Sequence, residues 1–242
     1  ETVGAGVTNF KPGDRVFGLS PEVYGAHAEY LRLPERAAMA ALPAGTAFGK
    51  AVVCEGAWYA DTNLRALGVQ PGHAILIYGA SGAIGTAAVQ LAKCYGANVT
   101  AVVATRHLDL VKSLGADHAV DYTAEDFTRI GQTYDSVFDA VGKETYFHCR
   151  RLLKPAGRFA ATDLGPWGQN PLLAIWSAIR GTRRVVFPLP KAGTAMHAAP
   201  PCPEDEYLQA IALARLILPP EIHLQAPPNL SAEGYDQLPA AG

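Results

Sequence analysis

The sequence predicts an α/β fold built on a doubly wound parallel sheet, and three observations predict it. From Ala74 to Phe187, short apolar segments alternate with helix-like segments at the spacing of parallel strands covered on both faces. The first of these strands, Ala74-Ile75-Leu76-Ile77-Tyr78, turns through Gly79-Ala80-Ser81-Gly82-Ala83-Ile84-Gly85 into the helix former Thr86–Lys93. A chain of 242 residues, 49% hydrophobic, also carries enough apolar surface for one large core or two smaller ones.

Each element has a local reason. Lys11-Pro12-Gly13-Asp14 is a turn signal, and Arg15-Val16-Phe17-Gly18 reads as the strand that follows it. Gly25-Ala26-His27-Ala28-Glu29-Tyr30-Leu31 alternates small or apolar with polar residues, as a half-buried strand does. Pro34 and Pro43 punctuate the next stretch. Gly45 to Leu67 reads as one or two helices, ended by Gly68 and the turn Gln70-Pro71-Gly72.

The regular alternation then begins. Strand 74–78 precedes a helix over 83–95, and strand 99–103 precedes a helix of about 107–114 closed by Gly115. A short strand, 119–121, leads to a helix near 124–130, and strand 136–139 leads to a helix of about 144–153 that ends at Pro155-Ala156-Gly157. Strand 158–162, an apolar helix near 172–179 and strand 183–187 complete the series. That last strand is an exposed edge able to pair with a second copy, so a homodimer is an expectation. After Lys191 the character changes: ten of the 18 prolines fall in 188–242, and only one amphipathic helix, roughly Glu204–Leu218, can be read there. The expected division is therefore 1–50, 51–191 and 192–242.

The bulk numbers exclude several function classes. Twenty basic and 22 acidic residues give a net charge of −2, with no basic stripe for nucleic acid. The four cysteines, Cys54, Cys94, Cys149 and Cys202, form no C-x-x-C pair, so neither a zinc cluster nor a thioredoxin-like site is suggested. The longest apolar candidate, Pro171 to Ile179, is too short to span a bilayer, and no leader is visible. A reducing, cytoplasmic setting without membrane partners is the expectation. Glu1 is not an initiator methionine and the first motif begins within a dozen residues, so the chain reads as a piece of something longer.

The glycine-rich turn carries most of the chemistry. A buried strand turning through small residues into a helix lets backbone N–H groups approach a pyrophosphate, and the helix N-terminus adds partial positive charge. Gly82 and Gly85 take the second and third positions of the dinucleotide fingerprint G-x-G-x-x-G, whereas its first position holds Ala80, with Gly79 one residue earlier. Gly79, Ser81, Gly82, Ala83, Ile84 and Gly85 are thus candidate cofactor-binding residues of a Rossmann-type domain, with the Ser81 hydroxyl a donor to phosphate. An NAD-preferring site places Asp or Glu at the end of the second strand. This chain has Ala104-Thr105-Arg106, and a hydroxyl plus a guanidinium suit the 2′-phosphate of NADP instead. Arg106 also suits a solvated helix start. Asp139 and Val141 lie at the carboxyl end of the fourth strand, where backbone groups can face the nicotinamide ribose, and Asp139 equally suits a cap for the next helix.

Residues 1–191 resemble the zinc-independent medium-chain dehydrogenase/reductases of the quinone oxidoreductase type. The resemblance lies in Phe10–Gly18, Gly25–Tyr30, Gly79–Gly85, Leu114-Gly115-Ala116-Asp117, Phe138-Asp139-Ala140-Val141-Gly142 and Leu153-Lys154-Pro155-Ala156-Gly157, in order and at suitable spacing. It implies that 1–50 are part of a GroES-like catalytic domain and that 51–191 are a Rossmann domain. It also implies NADPH bound between the two, hydride transfer to a quinone, an enone or another activated carbonyl, and Tyr122 against the adenosine end. A partly buried core tyrosine is the other reading of Tyr122. By the same resemblance, the first half of the catalytic domain would precede Glu1, and the part that closes the fold would follow Lys191. A catalytically silent dinucleotide-binding or interaction module is the alternative. The tail segments Gly193–His197, Ile211–Arg215 and Gln225–Ser231 resemble an internal stretch of deazaflavin-chromophore radical-SAM synthases, but the C-x-x-x-C-x-x-C motif of that family is absent.

Other pairings are weaker. A catalytic zinc needs three protein ligands, and none joins His27 and Cys54 or His197 and Cys202 at suitable spacing. Ser81 lacks the G-x-S-x-G elbow of a nucleophile. Trp58, Tyr59 and Trp167 suit either a cleft wall or a core. No catalytic residue stands out.

Overall fold

A computed structural model describes residues 1–19, 26, 28–51, 54–182 and 184–188. The expected tail helix and the tail motifs, together with His27, His197 and Cys202, lie outside the described residues.

The chain opens with a small antiparallel pair, β1 (Val16–Leu19) and β2 (Ala38–Ala41), in which Val16 faces Ala41. Among the described residues of 1–51, only Leu42 is buried. Ala28–Leu31 is exposed and joins no sheet, so the strand expected over 25–31 is not found in its described part. The partner of β1 is instead the Ala-Met-Ala-Ala stretch of β2, which has no β-branched residue to announce it.

Two helices follow, the short α1 (Phe48–Ala51) and α2 (Cys54–Leu67). The alternating region then builds a six-stranded sheet from β3 (Ala74–Tyr78), β4 (Asn98–Val103), β5 (His118–Asp121), β6 (Tyr134–Asp139), β7 (Leu153–Ala161) and β8 (Val185–Val186). Its order is β5-β4-β3-β6-β7-β8, and every neighbouring pair is parallel. The connecting helices are α3 (Ala83–Cys94), α4 (Leu108–Ser113), α5 (Tyr146–Cys149) and α6 (Gln169–Ile179).

The central strand β3 is apolar throughout because both its faces are covered, and alternation sorts its side chains. Ile75 and Ile77 join one buried cluster with Ala60, Leu64, Val89 and Leu91 of α2 and α3. Leu76 joins the other, with Val137, Phe159, Leu152 and Cys149. Gly56 lets α2 approach the start of α3, since a Cβ there would lie 2.9 Å from the Ala83 carbonyl oxygen.

Several elements differ from expectation. No helix forms over 124–130. Asp126 instead accepts from the backbone N–H and hydroxyl of Thr128, and only a single 3₁₀ turn, Phe127–Arg129, results. The helix expected over 107–114 is a 3₁₀ turn, Thr105–His107, followed by α4. The helix expected over 144–153 shrinks to α5 and the 3₁₀ turn Arg150–Leu152. Strand β7 starts early, at Leu153, and carries Pro155 and Gly157 through a register shift: Tyr134 faces Leu153, but Ser136 faces Arg158.

Candidate functional site

The sheet order reverses between β3 and β6: the chain leaves β3 toward β4 and β5, then returns to the other side of β3. The crevice at the carboxyl ends of those two strands is where such sheets bind ligands. The glycine turn borders it on one side and the loop after β6 on the other.

Gly79 has φ +72°, and its N–H, like that of Ala80, reaches the Val102 carbonyl at the end of β4. The Gly82 N–H closes the turn on the Gly79 carbonyl at 3.1 Å. The three small residues have separate physical duties. A Cβ on Gly85 would lie 2.2 Å from the Gly79 carbonyl oxygen, so Gly85 is required where α3 packs on the turn. A Cβ on Gly79 would lie 1.9 Å from Cγ2 of Val141. A Cβ on Gly82 would meet only the Gly79 oxygen, at an ordinary 3.6 Å, and Gly82 is exposed. The packing of this chain therefore does not require glycine there, whereas close approach of a ligand would.

Gly82 is also the N-cap of α3 and supplies no side-chain cap. The first N–H groups of a helix have no acceptor within it, so those of Ala83, Ile84 and Gly85 are unclaimed by the helix, beside a half-buried Ser81. Small residues, an open position and donor groups at the switch point fit a diphosphate.

The loop after β6 is held from below. Asp139 is 0% exposed, and its carboxylate accepts from the N–H groups of Val141 (3.0 Å), Gly142 (2.9 Å) and Glu144 (2.6 Å). Burial pushes its pKa up to about 6 against the opposing pull of those three donors. Asp139 thus points into its own loop rather than into the crevice, and the cap of α5 is Thr145, which accepts from His148 N–H. The helix-cap reading of Asp139 gives way to this one, and the carboxylate is seen holding the loop that borders the crevice. The Val141 N–H is likewise spent on Asp139, while its side chain, 44% exposed, lies over Gly79. Gly142, at φ +80°, lets Asp163 approach from the loop after β7, where a Cβ would lie 2.2 Å from that of Asp163.

At the other end of the edge, the Thr105 hydroxyl donates to Asp121 at 2.5 Å and lies 3.0 Å from the Thr123 hydroxyl. Arg106 is exposed, and its Nε donates to Nε2 of His107 at 3.0 Å, leaving the terminal nitrogens of the fork. Burial and the Arg106 charge hold the His107 pKa below its usual value. Tyr122 is half exposed, with its ring 5.8 Å from that of Tyr78, so it is a surface aromatic and not a core one. Burial and nearby Glu144 push the Tyr78 hydroxyl up to about 12, so Tyr78 stays neutral.

Sequence reasoning passed over Asp121, Gly142, Glu144 and Tyr78. The Asp-x-Thr spacing of Asp121 and Thr123 was the available signal for the first. Glu144 lies 2.5 Å from Nδ1 of His148 beneath the same loop. Of the aromatic candidates, Trp58 is buried, Tyr59 is half-buried and edge-on to it at 5.4 Å, and Trp167 is fully exposed at φ +58°. Among the described residues, no group of three or more His, Cys, Asp or Glu can hold a metal ion. No helix among them is long and apolar enough to cross a membrane.

Comparison with known proteins agrees with this fold. Residues 83–186 match the family model described as zinc-binding dehydrogenase. The chain is 37% identical over 151 residues to a 2-methylene-furan-3-one reductase of Solanum lycopersicum, covering 58% of this chain and 39% of that protein. It is 37% identical over 150 residues to a chloroplastic NADPH-dependent alkenal/one oxidoreductase of Arabidopsis thaliana, with the same coverage. The solved quinone oxidoreductase of Coxiella burnetii superposes with a TM-score of 0.70 at 25% identity, covering 89% of this chain and 63% of that one. The chain thus spans about two fifths of the length of these curated relatives. The family match ends at residue 186, and the radical-SAM resemblance of the tail has no support in these comparisons.

Proposed function

We propose that the chain is an NADPH-dependent oxidoreductase of the quinone oxidoreductase type: residues 83–186 match the zinc-binding dehydrogenase model, and quinone and enone oxidoreductases are among the proteins it resembles. Its substrate class is an activated double bond or carbonyl in a quinone or enone. The observation that carries the reading is the exposed Gly82 turn, with uncapped N–H groups, at the point where the sheet order reverses.

In this reading the dinucleotide, when bound, supplies the hydride. The N–H groups of Ala83 to Gly85 and the Ser81 hydroxyl hold the diphosphate, and Gly82 leaves the room for it to approach. The free end of the Arg106 fork, beside Thr105, takes a 2′-phosphate, which favours NADP over NAD. Tyr122 lies against the adenosine, and Val141 borders the nicotinamide side with its loop fixed by Asp139. The division into 1–50, 51–191 and 192–242, work without zinc, a cytoplasmic setting and a homodimer paired through β8 belong to the same proposal. Metal analysis, cell fractionation and sedimentation test the last three.

A second reading, a catalytically silent dinucleotide-binding or interaction module, is favoured by one observation: residues 1–51 bury only Leu42 among those described, a slender wall for a substrate. Titration with NADPH followed by a turnover assay with a quinone and an enone separates the two. Binding with turnover supports the first reading, binding without turnover supports the second, and no binding removes the first reading and the dinucleotide-binding form of the second.

A further inference from the structure

The carboxyl edge of the sheet carries one more loop, residues 162–168 between β7 and α6, which the dinucleotide site leaves unused. It is joined to the loop after β6. The Thr162 N–H donates to the Asp139 carbonyl at 3.1 Å, and Asp163 fills the space that a side chain at Gly142 would need. Buried Asn170 holds it from below: its Nδ2 donates to the Asp163 carbonyl at 2.8 Å and its N–H to the Leu164 carbonyl at 3.0 Å. The Gly168 N–H closes the loop on the Gly165 carbonyl at 3.1 Å. At its tip stands Trp167, whose indole is fully exposed. Its backbone lies in the left-handed region, φ 58° and ψ 21°, where a bulky side chain is disfavoured. Among the described residues it is the only non-glycine with positive φ. Packing within the chain accounts for neither the large ring nor its strained backbone, and strain of this kind gathers at ligand sites.

Strand order says which ligand. The sheet runs β5-β4-β3-β6-β7 toward this loop. In the redox reading, Tyr122 after β5 and Arg106 after β4 take the adenosine end, the turn after β3 takes the diphosphate, and Val141 after β6 borders the nicotinamide. The next place along the edge, about 5 Å on, is the loop that presents Trp167. A molecule accepting hydride from the nicotinamide belongs there. We propose that Trp167 determines specificity for that acceptor: the face of its indole stacks on the flat ring of a quinone. Ring-bearing acceptors are thereby favoured over small open-chain enones, which offer the indole little area. This inference rests on the redox reading and names the substrate class that its site prefers.

The test compares the full chain with Trp167→Asn and Trp167→Phe. Asparagine tolerates the left-handed backbone and has no ring, and the indole covers nothing, so the melting temperature of Trp167→Asn does not fall. NADPH affinity by titration stays the same in both variants. With naphthoquinone as acceptor, Trp167→Asn raises KM about ten-fold, whereas KM for methyl vinyl ketone, which has no ring, moves less than about two-fold. Calorimetric binding of naphthoquinone to the complex with oxidised cofactor, where no turnover occurs, weakens by the same factor. Trp167→Phe restores most of both losses. Trp176→Asn, on the exposed side of α6, changes neither KM and so controls for loss of any surface tryptophan. An unchanged KM for naphthoquinone, or an equal rise for both acceptors, overturns the role of Trp167 and leaves the redox reading standing. A wild-type chain that reduces neither acceptor overturns the redox reading, and this inference with it.

Discussion

Replacing Asp139 with asparagine tests the electrostatics of the crevice most directly. The carboxylate is fully buried and serves three backbone N–H donors, yet its pKa is raised from 3.8 to about 6 because burial outweighs those bonds. Between these two values the folded chain holds a proton that the unfolded chain releases, so stability falls as pH rises through this window. The gap corresponds to about 3 kcal/mol, present at pH 4 and lost by pH 7. Asparagine cannot ionise, so this pH-dependent loss disappears. Its amide also turns one N–H toward a backbone donor, at a cost of about 1–3 kcal/mol that does not vary with pH. Near pH 7 the two effects nearly cancel, whereas at pH 4.5 the variant is the less stable protein. Urea unfolding at half-unit intervals from pH 4.5 to 7.5 measures both curves. Parallel curves would refute the argument, because they would mean that the Asp139 carboxyl titrates alike in both states.

Three further outcomes follow from the glycine turn and its neighbours. Gly82→Asp abolishes NADPH binding in calorimetry while leaving the melting temperature nearly unchanged, since a Cβ there meets only ordinary contact; unaltered affinity would contradict the phosphate site. Gly85→Ala destabilises the fold by about 3 kcal/mol or more in denaturant unfolding, because its Cβ meets backbone at 2.2 Å. Arg106→Ala weakens NADPH by about ten-fold or more and NADH little; equal losses in fluorescence titration would remove the 2′-phosphate argument.

The sheet was legible because its strands are buried on both faces and read as short apolar runs between glycines. Gly82 and Gly85 were legible from spacing, although only the built turn separates the position that packing requires from the open one. What stayed hidden was decided by competition within short stretches. The helix expected near 124–130 lost to Asp126, whose side chain serves Thr128 instead. Strand β2 was missed because Ala38–Ala41 has no sequence mark of a strand, and its pairing depends on β1, from Leu19 opposite Ala38 to Val16 opposite Ala41. Asp139 was noticed, but its orientation was not, because a carboxylate after a strand can face ligand, helix or its own loop. The apolar helix near 172–179 was legible, but only the fold shows that Leu172, Ile175, Trp176 and Ile179 are its exposed side.

Val141 seated on Gly79 has one more consequence. The two banks of the crevice meet there like a tooth in a notch, so any side chain larger than hydrogen at 79 would push Val141 outward. In the proposed dinucleotide reading, the bank beside the nicotinamide therefore leans directly on the bank that holds the diphosphate.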